Sequence, residues 1–295
     1  MSDMERLGDI MERVRREVER CDTFQGFQIC QSIEESKTML LHDIKEEYPC
    51  KIVNAYSTIS QKTCDKDKVM LSYLKTYCDS IVLFDDKKIK DICTNQKMNI
   101  ESEACHLIAR VIADVSSIFR FPSQVWVLYF SSCQTSCLQQ NFDLQQLLDH
   151  TVPDKSCPFL SPSLAPLISC RRGIKSRPQH KIHDLLNQLQ WSDHCLSSVS
   201  FPTFGRKKDD VIFSIFRGDI KPEDIPAIKD TRVKESVSFV KMPPICAPMS
   251  AVMLRNSSDV CGYLGDLGQC DLEVNLDVIE TNKSSDVDRN LTRHK

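Results

Sequence analysis

Fifteen cysteines and seven histidines are the residues of this sequence best suited to bind a metal. No two cysteines form a C-x-x-C pair, and the closest two, Cys133 and Cys137, have no second cysteine or histidine pair nearby. This spacing argues against a zinc site. His180 and His183 lie three residues apart on a predicted helix, but no third ligand is close in sequence. The sequence therefore predicts no metal site.

Signatures of covalent catalysis and of phosphate binding are weak. No Ser/His/Asp or Cys/His set falls inside a recognisable nucleophile motif. Residues 205–210, Gly-Arg-Lys-Lys-Asp-Asp, offer cations to a phosphate, but a solvated loop explains them more simply. Only 8 of 295 residues are glycine, which leaves few from which to build a glycine-rich phosphate loop. We expect no independent enzyme chemistry.

The overall composition excludes several classes of protein. Lys+Arg is 38 and Asp+Glu is 41, a net charge of −3, so there is no dominant basic footprint for nucleic acid. No apolar run reaches the ~18–20 residues that a membrane helix needs. The first twenty residues are charged and lack the apolar core of a secretory signal. We therefore expect a cytoplasmic protein whose cysteines are reduced thiols, many of them small buried hydrophobes.

Helices alternate with strands through the first 120 residues. Apolar residues at three- and four-residue steps predict a helix over Asp3–Arg20. The pattern then predicts strands near 27–33, 51–58 and 80–84, and helices near 34–47, 68–77 and 86–93. A long helix over Ser102–Phe119 should bury Leu107, Val111 and Val115. This alternation predicts a parallel, doubly wound α/β sheet.

After Pro122 the pattern changes. It predicts strands near 165–170, 211–217, 237–241 and 249–254, and helices near 179–190 and 222–228, which indicate a second, mixed α/β domain. The apolar run Val125–Phe130 fits either a buried strand or an exposed insert, and both interpretations stay open. The predicted organisation is a first domain over 1–101, a central helix over 102–124, an insert over 125–140, a second domain over 141–262 and a disordered tail over 263–295.

Several short stretches carry a family resemblance. Asp85-Asp-Lys-Lys-Ile-Lys-Asp-Ile-Cys93 is similar to D-N-E-A-L-x-D-I-C, and Phe119-Arg-Phe-Pro-Ser-Gln124 is similar to L-R-F-P-G-Q. Both are motifs of the tubulin superfamily, and further matches follow in the family's order from about residue 5 to residue 260. The resemblance implies a tubulin/FtsZ-like architecture: a doubly wound nucleotide-domain remnant, a central helix and a second mixed α/β domain.

The resemblance also implies a biological setting. Tubulin, other tubulin-family proteins and microtubule or centriolar proteins become the expected partners. The cytoskeleton becomes the expected location, with the centriole, basal body or cilium suggested by family analogy alone. GTP is the family's cofactor, but this chain departs from the family where GTP would bind.

The first departure is in the main phosphate loop. Tubulins have S-x-G-G-G-T-G-S-G there, and this chain has Ser32-Ile-Glu-Glu-Ser-Lys-Thr38. Residues other than glycine disfavour the positive φ angles that such a loop uses. The Glu34 and Glu35 carboxylates would each repel a phosphate at about 4 Å by ~1–4 kcal/mol. We expect ordinary GTP binding, and with it GTPase activity, to be lost.

The second departure concerns the guanine base. Asp86 aligns with the family's base-reading asparagine, and it keeps a hydrogen-bond acceptor but adds a charge. Glu101 and Cys105 align with the stacking tyrosine and a second asparagine, and neither replaces the lost group. These positions, with those of the phosphate loop, are expected to form a remnant site that binds no nucleotide.

The third departure lies in the loop that in the family reaches the next subunit's nucleotide. The activating form reads N-x-D-x-x-E, and this chain reads Asn141-Phe-Asp-Leu-Gln-Gln146. Asn141 and Asp143 survive as candidate partner-interface residues. Gln146 replaces the water-positioning glutamate and carries no charge.

Three hypotheses remain open at this point. The chain could be a nucleotide-independent tubulin-like interaction protein, a divergent or truncated form of a GTP-binding constituent of microtubules, or a decayed paralogue with no stable fold. A longer form with a glycine loop would favour the second, and an insoluble product would favour the third.

Overall fold

The computed structural model describes residues 3–32, 38–59, 65–121, 123–128, 135–139, 142–152, 155–168, 182–189, 192–197, 211–218, 234–240 and 249–256. The helices are α1 (Asp3–Glu19), α2 (Thr38–Glu47), α3 (Asp65–Tyr77), α4 (Asp86–Asn95), α5 (Ile100–Arg120), α6 (Leu144–Thr151) and α7 (Ile182–Leu189). The strands are β1 (Gly26–Ser32), β2 (Ile52–Ile59), β3 (Ser80–Asp85), β4 (Ser123–Leu128), β5 (Thr135–Gln139), β6 (Phe159–Ala165), β7 (Val211–Gly218), β8 (Lys234–Val240) and β9 (Met249–Asn256).

All these strands form one sheet of nine in the order β1-β2-β3-β6-β9-β7-β8-β4-β5. The first four run parallel, as a β-α-β alternation requires. From β6 onward the pairing is mixed: β9 is antiparallel to β6 and β7, and β8 is parallel to β7. The predicted α/β class is confirmed, and β6 joins the parallel half of the sheet to the mixed half.

Helices cover both faces of the parallel half. One apolar cluster packs α1, α2 and α3 against alternate residues of β2 and β3, including Val53 and Leu83. The other cluster packs α4, α5 and α6 against the intervening residues of the same strands, including Tyr56 and Val82. The alternation arises because successive strand residues point to opposite faces of the sheet.

The central helix α5 buries one face along its whole length. Its predicted inward residues are confirmed: Leu107, Val111 and Val115 are 0% exposed. Asn99 caps its N-terminus by accepting the backbone N–H of Ser102 at 3.2 Å. A helix that buries one face along this length needs apolar residues at three- and four-residue steps, and this sequence has them.

The strand predicted at 165–170 is wrong, because the strand here is β6 at Phe159–Ala165. Pro162 within this run argues against a strand, since proline cannot donate to a ladder. The Pro162 carbonyl accepts the N–H of Leu196 at 2.9 Å. The nitrogen of a strand residue faces the same side as its carbonyl, so Pro162 is tolerated where pairing with β3 has already ended.

The described residues cover only part of the remaining predictions for the second half of the chain. The start of the apolar run Val125–Phe130 lies in β4, which pairs with β8 on one side and β5 on the other. The helix predicted near 222–228 and the tail from 263 lie outside the described residues.

The cysteines divide by burial. Cys78, Cys93 and Cys195 are buried free thiols, as expected of small hydrophobes, and burial raises the pKa of Cys78 to about 12. Cys157 is disulfide-bonded, which corrects the expectation of thiols throughout.

Candidate functional site

The predicted nucleotide-site remnant begins at the carboxyl ends of the parallel strands. Ser32 at the end of β1 pairs with Thr58 of β2, and Ile59 at the end of β2 pairs with Asp85 at the end of β3. The strand ends therefore share one edge, where ligands bind in open parallel sheets. Glu34 and Glu35 lie outside the described residues, as does the Ser32 side chain.

The turn from β3 into α4 shows what the two aspartates do. Asp85 is fully buried, and its carboxylate caps α4 by accepting the Lys88 N–H at 3.0 Å. Asp86 lies on the outer surface, and its carboxylate forms an ion pair with Lys90 one turn along the same helix. The carboxylate at the base-reading position is thus engaged by its own helix.

Glu101 and Cys105 lie one turn apart near the start of α5, and both are exposed. Glu101 is in the first helical turn, where a carboxylate favourably meets the positive end of the helix dipole. Cys105 is a free thiol. Neither side chain supplies the aromatic face or the amide of the family pattern.

The loop predicted to contact a partner leads into the start of α6. The Asp143 carboxylate accepts the Gln146 N–H at 2.7 Å, and the Gln146 side chain accepts the Asp143 N–H at 3.2 Å. This reciprocal pair is a capping box, and the spacing D-x-x-Q could have predicted it. Gln25 adds a contact from the loop before β1 by accepting the Leu144 N–H at 3.2 Å. Asn141 lies outside the described residues, and the interface role of all three candidates stays a prediction.

Sequence reasoning missed a buried ion pair beneath α5. The Arg217 guanidinium of β7 donates to the Asp114 carboxylate of α5 at 2.8 Å, and both side chains are about 5% exposed or less. Burial raises the pKa of Asp114, and the neighbouring Ser250 hydroxyl and the Arg217 charge oppose that rise. Arg110, one turn earlier on α5, is also buried and contributes its charge. Arg217 lies inside the mostly apolar strand 211–218, and a charged residue in such a strand could have predicted a buried ion pair.

One group of side chains on α2 has ligand atoms close enough to share a metal ion. These atoms of His42, Asp43 and Glu46 lie within 4.8 Å of one another. His42 and Glu46 are exposed, and acidic groups on a helix surface are common without an ion. His180 lies outside the described residues, as does the side chain of His183.

The chain resembles three tubulin beta chains over most of its length. It is 27% identical to the tubulin beta chain of Aspergillus fumigatus over 284 residues, covering 87% of this chain and 59% of the relative. It is 27% identical to the tubulin beta-3 chain of Echinococcus multilocularis over 256 residues, covering 81% and 53%. It is 25% identical to the tubulin beta-4 chain of Zea mays over 287 residues, covering 87% and 59%. No protein-family model matches the sequence.

The fold defines an α/β protein with a buried central helix beneath a sheet that is parallel in one half and mixed in the other. The tubulin homologues support its identification as a divergent member of the tubulin superfamily. The chain spans between 53% and 59% of the length of these relatives. Among the described residues, no helix is long and apolar enough to cross a membrane.

Proposed function

We propose that this chain is a tubulin-like cytoskeletal protein that binds tubulin, or another microtubule or centriolar protein, without a bound nucleotide. The observation that carries the proposal is the ion pair that Asp86 forms with Lys90. Its carboxylate stands at the family's base-reading position and is held by Lys90 of the same helix. A guanine at this position would have to compete with an ion pair that the chain already makes.

The neighbouring positions support the same proposal. Glu101 offers a negative charge in place of a stacking ring, and Cys105 offers a thiol in place of an amide. Residues 32–38 contain no glycine and two glutamates, which disfavours a phosphate cradle. We expect neither GTP binding nor GTPase activity.

Titration of the purified chain with GTP and Mg²⁺ should give no saturable binding up to high micromolar nucleotide. We expect this result because the Glu34 and Glu35 carboxylates would repel the phosphates. Glu101 would not stack on the base. Isothermal calorimetry measures this directly. A dissociation constant below ~10 µM, which corresponds to about −7 kcal/mol, contradicts the prediction.

The Cys105 thiol tests the same prediction at the site itself. It is exposed and free, and a nucleotide in the family's position would cover it. Maleimide labelling, followed by peptide mass spectrometry, should proceed at Cys105 equally fast with and without GTP. Cys50, an exposed thiol between α2 and β2, is the matched control. Protection of Cys105 alone would support the alternative, a GTP-binding form of tubulin.

Contact with tubulin is proposed to run through one end of the molecule, the start of α6. Head-to-tail polymers need two working surfaces, and the departures in the phosphate loop and at the base positions fall on the other one. The pure chain should therefore form no filaments with any nucleotide. Bound to αβ-tubulin, it should act at substoichiometric ratios, and Asn141→Ala with Asp143→Ala should weaken that binding in co-sedimentation assays.

The control for this experiment separates binding from folding. Asp143→Ala removes the cap of α6, which costs about 1 kcal/mol, whereas Asp143→Ser keeps a capping oxygen and removes only the charge. Weaker binding with Asp143→Ser at unchanged melting temperature supports the interface. Filaments of the pure chain in electron micrographs, or co-sedimentation that none of these variants alters, would rule out the one-ended arrangement.

A further inference from the structure

We propose that three side chains of α2, those of His42, Asp43 and Glu46, form a binding site for a divalent transition-metal ion of the zinc class. The ligand atoms of this α2 cluster lie within 4.8 Å of one another. His42 and Glu46 are four residues apart, so the helix places them on the same face, and Asp43 is the next residue after His42. One short segment thus supplies three ligands from a single helix.

The separations of the ligand atoms suit one shared ion. His42 Nδ1 lies 3.4 Å from Asp43 Oδ1 and 3.7 Å from Glu46 Oε2. Both distances exceed the ~2.7–3.2 Å of a good N–H···O hydrogen bond. At metal–ligand distances of about 2.1 Å, two ligands of a tetrahedral ion are ~3.4 Å apart. The long Glu46 side chain can close the remaining separation by rotating about its torsions.

The charges next to the α2 cluster favour a cation. The Arg15 guanidinium donates to Glu47 through Nε and Nη2, each at 2.8 Å, and Lys45 pairs with Asp79 at 2.7 Å. These two cations are therefore already paired. Within the described chain, the ion pairs of the two cluster carboxylates are made with the cluster imidazole. A neutral imidazole leaves both carboxylate charges uncompensated, and a divalent ion would balance them.

Neighbouring groups orient the imidazole and leave room for water. The rings of His42 and Tyr77 meet edge to face with their centroids 5.7 Å apart, and Tyr73 packs against Tyr77 at 4.4 Å. Asp43 and Glu46 line a cavity of about 330 Å³ between α1 and α2. A water occupies roughly 30 Å³ of liquid, so this cavity can hold the waters that complete the coordination of an ion bound by three protein ligands.

The mixed donor set selects the metal. One imidazole nitrogen and two carboxylate oxygens suit Zn²⁺ and its neighbours Co²⁺, Ni²⁺ and Cu²⁺, whereas Ca²⁺ and Mg²⁺ prefer oxygen ligands alone. The imidazole also distinguishes the α2 cluster from an ordinary acidic surface. Paired cysteines and paired histidines are the usual signals of a metal site in a sequence, and a single histidine followed by two carboxylates lies outside both patterns.

Titration with Zn²⁺ tests the site on the purified chain. Isothermal calorimetry under reducing conditions should show a saturable binding event. His42→Asn and Glu46→Gln should each weaken it by about tenfold or more, because each removes one of three ligands. The matched control is His180→Asn with His183→Asn, which removes two histidines outside α2 and should leave the affinity unchanged. Melting curves without metal check that every variant folds.

Cobalt(II) separates the α2 cluster from the free cysteines. Thiolate ligands give Co²⁺ an intense charge-transfer band in the near ultraviolet, whereas nitrogen and oxygen ligands give only weaker visible bands. Adding Co²⁺ to the wild-type chain should produce visible bands that Zn²⁺ displaces. His42→Asn should remove these bands and leave any thiolate band unchanged.

Three results would each overturn the proposal. The wild-type chain could show no saturable binding up to millimolar Zn²⁺. Binding could be the same in His42→Asn, Glu46→Gln and the wild type, which would assign the metal to other residues. Mg²⁺ could bind as tightly as Zn²⁺, which would indicate attraction to the carboxylates without a contribution from the imidazole.

Discussion

Replacing Val111 with aspartate should abolish cooperative folding. Val111 is 0% exposed at the centre of α5, inside the apolar cluster that joins α4, α5 and α6 to the sheet. An unpaired buried carboxylate costs several kcal/mol, and a domain of this kind has about 5–15 kcal/mol of stability in total. Circular dichroism during heating should show no cooperative transition, and the variant should be largely insoluble on expression.

The neighbours of Val111 provide graded controls. Ala109 is exposed on the same helix, so Ala109→Asp should cost only the small difference in helix propensity. Ile112 is half-buried, so Ile112→Asp should fall between the two. Equal cooperative melting curves for all three variants would contradict the burial of Val111 in α5, whereas no transition in any of them or in the wild type would favour a chain with no stable fold.

Replacing Asp114 with alanine should lower the free energy of unfolding by about 3–5 kcal/mol. The change leaves the Arg217 guanidinium buried without the carboxylate that it contacts at 2.8 Å. Removing one partner of a buried ion pair costs far more than the pair itself contributes. Urea denaturation at neutral pH measures the difference.

The double variant Asp114→Leu with Arg217→Met is the informative comparison. Replacing both charges with apolar groups of similar volume is often close to neutral, so part of the lost stability should return, and the buried charge of Arg110 limits the recovery. Arg15→Ala, which breaks an exposed ion pair with Glu47, should leave the melting temperature nearly unchanged. If the double variant is no more stable than Asp114→Ala, then shape rather than charge holds this contact.

The helices and strands with strong periodicity could be predicted from the sequence. α1 and α5 have apolar residues at three- and four-residue steps, and β3 is a short continuous run of apolar residues, so each pattern lies within one local segment. β6 could not be placed, because Pro162 is excluded from a strand by local rules and admitted only where one neighbouring strand has ended. The D-x-x-Q spacing of Asp143 and Gln146 is a local pattern that predicts their capping box.

The amino-acid sequence alone determined four features: the α/β class, the apolar stripe of α5, the tubulin resemblance and the absence of glycine from residues 32–38. Each of them depends on residues that are near one another in the chain. Tertiary structure alone paired Asp114 with Arg217, which are 103 residues apart, and placed β9 between β6 and β7 in the sheet. Which polar groups share a buried site, and which strands are neighbours in the sheet, depend on contacts between distant segments that no local pattern records.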